Sequence, residues 1–310
     1  MKSLDVVVPC LNEGECVPLL YEAVVAVLDT LPDVKYTFYF IDDGSRDDTL
    51  AQIKTLADRW GEARVKYISF SRNFGKEAAI YAGLQASQGD LVVILDADLQ
   101  HPPALLPQMI EAIEEGYDSC AARRSTRKAE SPLRSMLSRA FYRLMKWAIA
   151  MDMEPNATDF RMMTRAMRAS VLALPETERF SKGLFDWVGY RTKWIVFENV
   201  PRRAGVTKWS MRALLNYAIS GMIAFATAPL RAAIILGFCA AGFAVVYGLY
   251  MLGKALIFGT NASGFTTIAL LVMFFGGMII VLLSIIGEYI TRIYSEVKRR
   301  PIYIAKESNV

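Results

Sequence analysis

The fold of this chain is decided by Leu91-Val92-Val93-Ile94-Leu95-Asp96-Ala97-Asp98-Leu99-Gln100. The first five residues are apolar, and a run of this length is typical of a parallel strand buried on both faces. Asp96 and Asp98 follow at the carboxyl end of that strand, where open α/β sheets bind their ligands. Their oxygens suit Mg²⁺ or Mn²⁺ carrying a nucleotide diphosphate, whereas a pair of solvated loop acids is the alternative interpretation.

The segments around this stretch alternate between strand and helix. Apolar runs predict strands at 4–9, 36–41, 65–70, 91–95, 118–122 and 193–200. Amphipathic periodicity predicts helices at 16–31, 46–60, 75–87, 103–116, 133–150 and 164–173, and the basic stretch 123–132 is predicted to be a loop. This alternation favours an α/β fold with a doubly wound, mostly parallel sheet over residues 1–210.

Two long apolar runs follow this domain. No charged residue occurs from Ala232 to Gly253 or from Ala255 to Gly287. Each run is long enough to cross the roughly 30 Å hydrocarbon layer of a membrane as a helix. We therefore predict a two-helix transmembrane hairpin over 230–288, with helices at about 231–253 and 266–287. Two buried helices of a soluble core are the alternative.

The charges around the hairpin predict its orientation. The turn at 260–264 carries no lysine or arginine, whereas Arg231 precedes the first run and Lys298-Arg299-Arg300 follow the second. Because positive residues stay inside, both termini and the catalytic domain are predicted to be cytoplasmic. Residues 211–229 are predicted to form an amphipathic helix in the membrane interface, and 289–310 a cytoplasmic tail.

Composition argues against several other classes of protein. The formal net charge of +4 is mild and no basic arm is interleaved with aromatic residues, so nothing favours nucleic acid as a partner. The four cysteines form no CxxC pair, which favours free thiols in a reducing cytosol. The N-terminus leads directly into a strand and lacks the apolar segment of a signal peptide, so the first domain is expected to stay in the cytoplasm.

Polar residues also follow the first two predicted strands. Asn12 and Glu13 come after the first strand, and Asp42 and Asp43 end the second. The carboxyl ends of parallel strands meet at one edge of a sheet, so we expect these side chains to face the same crevice as Asp96. Carboxylates there can accept hydrogen bonds from a ribose or a base edge. Turn formation and helix capping are the alternative for Asp42 and Asp43.

Several motifs carry a family resemblance. VVVPCLNE (6–13), IDDGSRDDT (41–49), RNFGKEAAI (72–80) and LDADLQHPP (95–103) resemble the family-two glycosyltransferases of the GT-A fold. TDFR (158–161), RRAGVTKWS (202–210) and the two apolar runs are similar to polyprenyl-phosphate glycosyltransferases. That group includes bactoprenol glucosyltransferases, the aminoarabinose-transferring enzyme and dolichol-phosphate mannose synthases. The resemblance covers nearly the whole chain and is specific for the group but not for the sugar.

The resemblance implies a set of site residues. The nucleotide-sugar pocket would be formed by Pro9, Leu11, Asn12, Glu13, Ile41, Asp43, Asp96, Ala97 and Arg123. A divalent cation, Mg²⁺ or Mn²⁺, would be held by Asp96, Asp98 and Gln100. The acceptor phosphate would be bound by Arg134, Ser138, Arg202 and Lys208. The catalytic residues would be Asp98, Asp159, Arg202 and Lys208. Leu11 stands where an aromatic residue is common, which weakens the case for base stacking there.

The role of Asp159 has three interpretations. A lipid monophosphate is already ionised at pH 7 and needs no base to deprotonate it. We therefore expect Asp159 to orient the donor sugar or an arginine. Action as a general base and a structural ion pair with Arg161 or a neighbour are the alternatives. His101, the single histidine, is expected to be solvent-facing or structural rather than a ligand.

The implied reaction transfers a hexose from a UDP-sugar to undecaprenyl phosphate at the cytoplasmic face of a bacterial inner membrane. The product, formed with inversion, would serve modification of cell-surface glycans such as lipopolysaccharide. Glucose is expected from family frequency, with N-acetylglucosamine, aminoarabinose and GDP-mannose as alternatives. The family also implies a homo-oligomer, a tetramer. A processive polysaccharide synthase is one alternative, but this chain lacks the Q-x-x-R-W motif of such enzymes. A non-catalytic membrane scaffold that binds nucleotide is the other alternative.

Overall fold

The computed structural model describes residues 2–125, 154, 156–174, 176–177, 179–198, 228–258 and 264–310. The strands in these residues are β1 (Lys2–Cys10), β2 (Val34–Asp42), β3 (Val65–Phe70), β4 (Leu91–Ile94), β5 (Ser119–Arg124), β6 (Ala157–Thr164), β7 (Thr192–Phe197) and β8 (Ala305–Ser308). They form one sheet in the order β7-β5-β6-β4-β1-β2-β3-β8. The helices are α1 (Cys16–Leu28), α2 (Thr49–Trp60), α3 (Lys76–Ala86), α4 (Leu106–Glu114), α5 (Arg165–Leu172), α6 (Ser181–Trp187), α7 (Ala228–Phe258) and α8 (Phe265–Val297).

The centre of the sheet is the parallel part that the apolar runs predict. β1 pairs in parallel with β2 and β4, and β2 pairs in parallel with β3. Successive side chains of a strand point to opposite faces, so Val6 and Val7 belong to two separate hydrophobic cores. Helices α1, α2 and α4 cover the core of Val6, and α3, α5 and α6 cover the core of Val7. The doubly wound α/β prediction is therefore confirmed.

The sheet is mixed because of two strands that the sequence patterns did not predict. β6 pairs antiparallel with β4 and β5, and β8 pairs antiparallel with β3. The first of these contains Asp159 and Arg161 between its apolar residues, and the second is Ala-Lys-Glu-Ser, so neither shows an apolar run. Helix α6 was missed as well. β5 extends through Arg124, so the first two residues of the predicted loop 123–132 belong to a strand.

The C-terminal half of the described chain contains two long apolar helices. α7 and α8 are long and apolar enough to cross a membrane, with mean hydropathies of 2.0 over Ala233–Tyr250 and 2.3 over Leu271–Val297. Their side chains are largely exposed, with Phe238 at 77% and Leu256 at 80%. Such exposure of large apolar side chains indicates that a lipid or protein surface covers them. Most of the predicted interfacial helix 211–229 lies outside the described residues.

Residues after α8 return to the sheet. The ring of Tyr303 stacks on Phe70 at 4.8 Å between centroids, and the backbone N–H of Tyr67 donates to Asn309 Oδ1 at 2.6 Å. Lys54 Nζ lies 2.9 Å from Glu307 Oε2. The segment that follows the second apolar helix therefore forms one edge of the sheet.

The cysteines agree with the prediction of free thiols. None of the four forms a disulfide; three are buried, and Cys239 is exposed on α7.

Candidate active site

A cavity of about 360 Å³ lies at the carboxyl ends of β1, β2 and β4. This is the crevice that the predicted strand order implies, because the three strands are neighbours in the sheet. Seven residues predicted to bind nucleotide, diphosphate or metal line it together: Pro9, Leu11, Glu13, Asp43, Asp96, Ala97 and Asp98. Ile41 is also predicted there, but it is fully buried in the core beneath.

Asn12 ties two loops of this crevice together. Its backbone N–H donates to Ser45 Oγ at 2.9 Å, and its Oδ1 accepts the backbone N–H of Arg46 at 2.8 Å. The φ of Asn12 is 51°, a left-handed conformation that asparagine tolerates better than most residues. The next residue, Glu13, donates its backbone N–H to Thr49 Oγ1 at 2.8 Å. Asn12 thus shapes the wall of the crevice, and it is not among the residues that line it.

The two aspartates at the end of β2 have different tasks. Asp42 accepts hydrogen bonds from the backbone N–H of Ser45 at 3.0 Å and from the hydroxyl of Ser69 at 2.7 Å. It therefore stabilises the turn after β2, as the alternative interpretation had it. Asp43 Oδ1 accepts the backbone N–H of Phe74 at 2.6 Å, and its Oδ2 accepts that of Gly75 at 3.0 Å. Burial raises the pKa of Asp43 to about 6, although these hydrogen bonds oppose the shift.

The turn after β4 presents the acidic pair. Leu99 has a φ of 57°, and Asp98 Oδ1 accepts the backbone N–H of Gln100 at 3.1 Å. Gln100 Oε1 in turn accepts a hydrogen bond from Arg124 Nη2 at 3.0 Å. Among the described residues, no group of three or more His, Cys, Asp or Glu is arranged to enclose a metal. Two carboxylates and an amide oxygen still fit Mg²⁺ or Mn²⁺, which complete their shells with water and substrate oxygens.

A larger cavity of about 910 Å³ adjoins the first. Gly75, Lys76 and Asp96 line both cavities. Five other charged residues from the described part of the chain line the larger cavity: Glu77, Arg124, Asp159, Arg179 and Lys182. The two cavities therefore meet beside Lys76 and Asp96.

Asp159 lies in this larger cavity between two lysines. Lys76 Nζ is 2.6 Å from Asp159 Oδ2 and 2.6 Å from Asp96 Oδ1. Lys182 Nζ is 3.9 Å from Asp159 Oδ1 and donates to the carbonyl of Ala157 at 3.1 Å. Arg161 does not pair with Asp159, because its guanidinium lies 3.7 Å from Asp186.

These contacts fix the charges of the cluster. Burial of Asp159 favours its neutral form, but Lys76 and Lys182 hold its pKa well below the usual range. Burial of Lys76 likewise opposes its charge, yet Asp159 and Asp96 raise its pKa above the usual range. Asp159 and Lys76 are therefore both ionised at neutral pH. Sequence reasoning missed both lysines; Lys76 stands in the RNFGKEAAI segment, but neither residue is near Asp159 in the chain.

His101 lies beneath the acidic turn rather than in solvent. Its ring is 2% exposed and stacks on Phe160 at 5.5 Å between centroids. Burial lowers its pKa, so the imidazole is neutral, and Nδ1 lies 3.9 Å from Asp96 Oδ2. The structural role expected for this residue agrees with its position.

The predicted phosphate-binding residues are described only in part. Arg123 pairs with Glu154 and is half-exposed, and it lines neither cavity. Its neighbour Arg124 faces the larger cavity instead. The other predicted phosphate-binding residues, Arg134, Ser138, Arg202 and Lys208, lie outside the described residues and stay predictions.

Comparison with known proteins assigns the family. The family model described as glycosyl transferase family 2 matches residues 5–173. The putative glycosyltransferase CsbB of Bacillus subtilis (strain 168) is 44% identical over 307 residues, which cover 99% of this chain and 92% of that protein. The SfII prophage-derived bactoprenol glucosyl transferase of Shigella flexneri is 37% identical over 307 residues, covering 99% of this chain and 98% of that protein.

One solved structure to which this chain is similar is glucosyl-3-phosphoglycerate synthase from Mycobacterium tuberculosis in complex with Mn²⁺ and UDP-glucose. Its TM-score is 0.46 at 17% identity, and the match covers 70% of this chain and 76% of that chain. The sequence comparisons are much stronger, because the family model spans more than half of the chain and the relatives align over nearly all of it. The resemblance to polyprenyl-phosphate glycosyltransferases is thus confirmed, and the chain belongs to glycosyltransferase family 2.

Proposed function

We propose that this protein transfers glucose from UDP-glucose to undecaprenyl phosphate and releases UDP. The observation that carries the proposal is that two cavities share Gly75, Lys76 and Asp96. The smaller would hold the nucleotide of the donor, and the larger the sugar and the acceptor phosphate. Relatives named bactoprenol glucosyl transferase support glucose as the sugar and a polyprenyl carrier as the acceptor.

In the proposed reaction an acceptor phosphate oxygen attacks the anomeric carbon from the side opposite UDP. A bond forms between that oxygen and the carbon, the bond from the carbon to the diphosphate breaks, and the electron pair leaves with UDP. An α-linked donor therefore gives a β-linked product. Asp96, Asp98 and Gln100 would hold the divalent cation. Such a cation stabilises the charge that develops on the leaving diphosphate.

Cationic side chains would offset the charge of the two substrates. A diphosphate donor and a phosphate acceptor bring several negative charges together, which guanidinium and ammonium groups can neutralise. Among the cationic residues that line the larger cavity are Lys76, Arg124 and Lys182. We propose that they offset the negative charge of the substrates. We further propose that Arg134, Ser138, Arg202 and Lys208 bind the acceptor phosphate.

The proposal is tested by transfer of radiolabelled sugar into undecaprenyl phosphate with the full chain in detergent. The donors would be UDP-glucose, UDP-N-acetylglucosamine, UDP-aminoarabinose and GDP-mannose, each with Mg²⁺ or Mn²⁺ and each with and without EDTA. We expect EDTA-sensitive label in the lipid phase from UDP-glucose. Label from a different donor would show that glucose is the wrong sugar. A folded protein that transfers no sugar from any donor would favour the non-catalytic scaffold.

Donor binding is expected to weaken as the pH falls through about 6, because Asp43 then gains a proton. Burial raises the pKa of this carboxyl from 3.8 to about 6, so the ionised form that holds Phe74 and Gly75 predominates only above that pH. Protonation loosens this loop of the donor crevice. Calorimetric titration with UDP-glucose across this range should show the inflection, and Asp43→Asn should remove it. UDP itself is unsuitable, because its terminal phosphate titrates near pH 6.

We propose that α7 and α8 cross the bacterial inner membrane and that the catalytic domain is cytoplasmic. β8 follows α8 and pairs with β3, so the chain must return to the side from which it left. Two crossings meet this requirement, and the basic residues 298–300 favour the cytoplasm for that side. We also retain the homo-oligomer, a tetramer, as a prediction from the family.

Cysteine labelling in spheroplasts would test this topology, in a background that carries Cys239→Ser. A membrane-impermeant maleimide is expected to label a Ser263→Cys variant in intact spheroplasts. It should label a Val310→Cys variant only after permeabilisation, because residue 310 is exposed beside the cytoplasmic sheet. Equal labelling of both variants in intact cells would contradict the proposed orientation.

A further inference from the structure

Lys76 occupies the position between the two carboxylates of the active site. Its Nζ lies 2.6 Å from Asp96 Oδ1 and 2.6 Å from Asp159 Oδ2. Both acids face the larger cavity, and Asp96 also faces the nucleotide crevice. An ammonium group therefore already binds an oxygen of Asp96, one of the two acids proposed to hold the cation.

The fold builds this position firmly. Lys76 is the first residue of α3 and follows Gly75, whose φ is 101° and whose N–H is held by Asp43. α3 packs closely against β1 at Gly83, where an added Cβ would lie 2.2 Å from Val7 Cγ1. Lys76 therefore starts from a helix that cannot move away from the sheet without breaking these contacts.

In the absence of a donor, two lysines of the site offset the charges of two of its carboxylates. Asp96 and Asp159 carry two negative charges, and Lys76 and Lys182 carry two positive ones. A divalent cation that arrives alone would meet the carboxylate of Asp98, but Asp96 is already paired with an ammonium group that repels the cation. A nucleotide diphosphate brings negative charge of its own, which attracts both the cation and the lysine.

We propose that Lys76 couples metal binding to donor binding. In the absence of donor its ammonium group holds Asp96 and Asp159. When the diphosphate enters with its cation, Lys76 releases Asp96 for metal ligation, stays on Asp159 and turns to the donor phosphate. The inference rests on the proposed function, and it predicts that the cation binds weakly alone and strongly with the nucleotide.

The test measures Mn²⁺ binding to the full chain in detergent, from the electron paramagnetic resonance signal of free Mn²⁺. Without nucleotide, Lys76→Met is expected to bind Mn²⁺ about tenfold more tightly than the wild-type protein, because the competing charge is gone. With UDP, the wild-type protein should retain Mn²⁺ beyond a blank of UDP and Mn²⁺, and Lys76→Met should gain much less from the nucleotide. Melting curves establish that the variants fold, and Lys76→Gln serves if Lys76→Met does not.

Lys182→Met is the matched control, because it removes the same charge from the same cavity without a contact to Asp96. Its affinity for Mn²⁺ alone should rise less than about threefold, since a more distant charge repels more weakly. An equal rise in Mn²⁺ affinity in both variants would overturn the proposed role of Lys76. The same conclusion would follow if Lys76→Met showed no rise while the wild-type protein still bound Mn²⁺ with UDP. In either case the proposed function would stand. A wild-type protein that retains no Mn²⁺ with UDP would instead overturn the proposed function, and this inference with it.

Discussion

An Asp98→Ala variant is expected to transfer glucose at least about a thousandfold more slowly than the wild-type protein, since a catalytic metal contributes several kcal/mol. Asp98 lines the smaller cavity at the end of the buried strand β4, beside Asp96. Removing its carboxylate takes away one of the two carboxylates that we propose hold the cation. The rate of label transfer into undecaprenyl phosphate at saturating Mn²⁺ and UDP-glucose measures the loss.

The loss must be separated from misfolding. Asp98 is partly exposed in a loop, so its replacement should leave the melting temperature and membrane insertion nearly unchanged. Asp58→Ala is a suitable control, because it removes the same charge from the exposed face of α2 and should keep full activity. Transfer by Asp98→Ala at more than a tenth of the wild-type rate would contradict the metal-binding role.

Asp159→Asn is expected to lower kcat roughly a hundredfold, the usual effect of a misplaced catalytic group. The carboxylate holds Lys76 directly and lies near Lys182, and an amide carries no charge to keep the ammonium groups in place. The same two lysines keep the pKa of Asp159 far below neutrality, which makes it a weak acceptor for a proton. We therefore infer that Asp159 is a positioning residue rather than the general base.

The dependence of kcat on pH distinguishes the two roles. The acceptor phosphate itself titrates near pH 6, so an acidic limb there is expected in the wild-type protein. If Asp159 only positions the lysines, the limb persists in Asp159→Asn with the whole profile lowered. A separate limb at a pH below that of the phosphate, present in the wild-type protein and absent from the variant, would identify Asp159 as a titrating group and would restore the general-base interpretation.

The sequence was informative wherever one local pattern decided the structure. The runs 4–9, 36–41, 65–70 and 91–95 became the parallel centre of the sheet, because a strand buried on both faces must be continuously apolar. β6 escaped prediction because Asp159 and Arg161 interrupt its apolar pattern, although each finds charged partners in the fold. β8 escaped because a short edge strand is held by backbone pairing and needs no apolar run.

The candidate site divides in the same way. Glu13, Asp43, Asp96 and Asp98 were predicted to meet because each follows a strand of the parallel centre, and they line one crevice together with Pro9, which the family resemblance implied. Lys76 and Lys182 could not be found by that rule, since they come from helices whose packing is decided by contacts distant in the chain. The partners of Asp159 likewise depend on how α3 and α6 lie against β6.

The position of β8 has a consequence for biosynthesis. During translation the strands β1 to β7 leave the ribosome before both apolar helices, and β3 keeps a free edge until residues 305–308 emerge. On the proposed topology, if the second helix of a copy fails to cross the membrane, residues 305–308 stay on the opposite side of the bilayer from β3. Such a copy lacks its eighth strand and exposes an edge that invites aggregation or proteolysis. On that topology, correct insertion of the two helices and completion of the sheet would occur together.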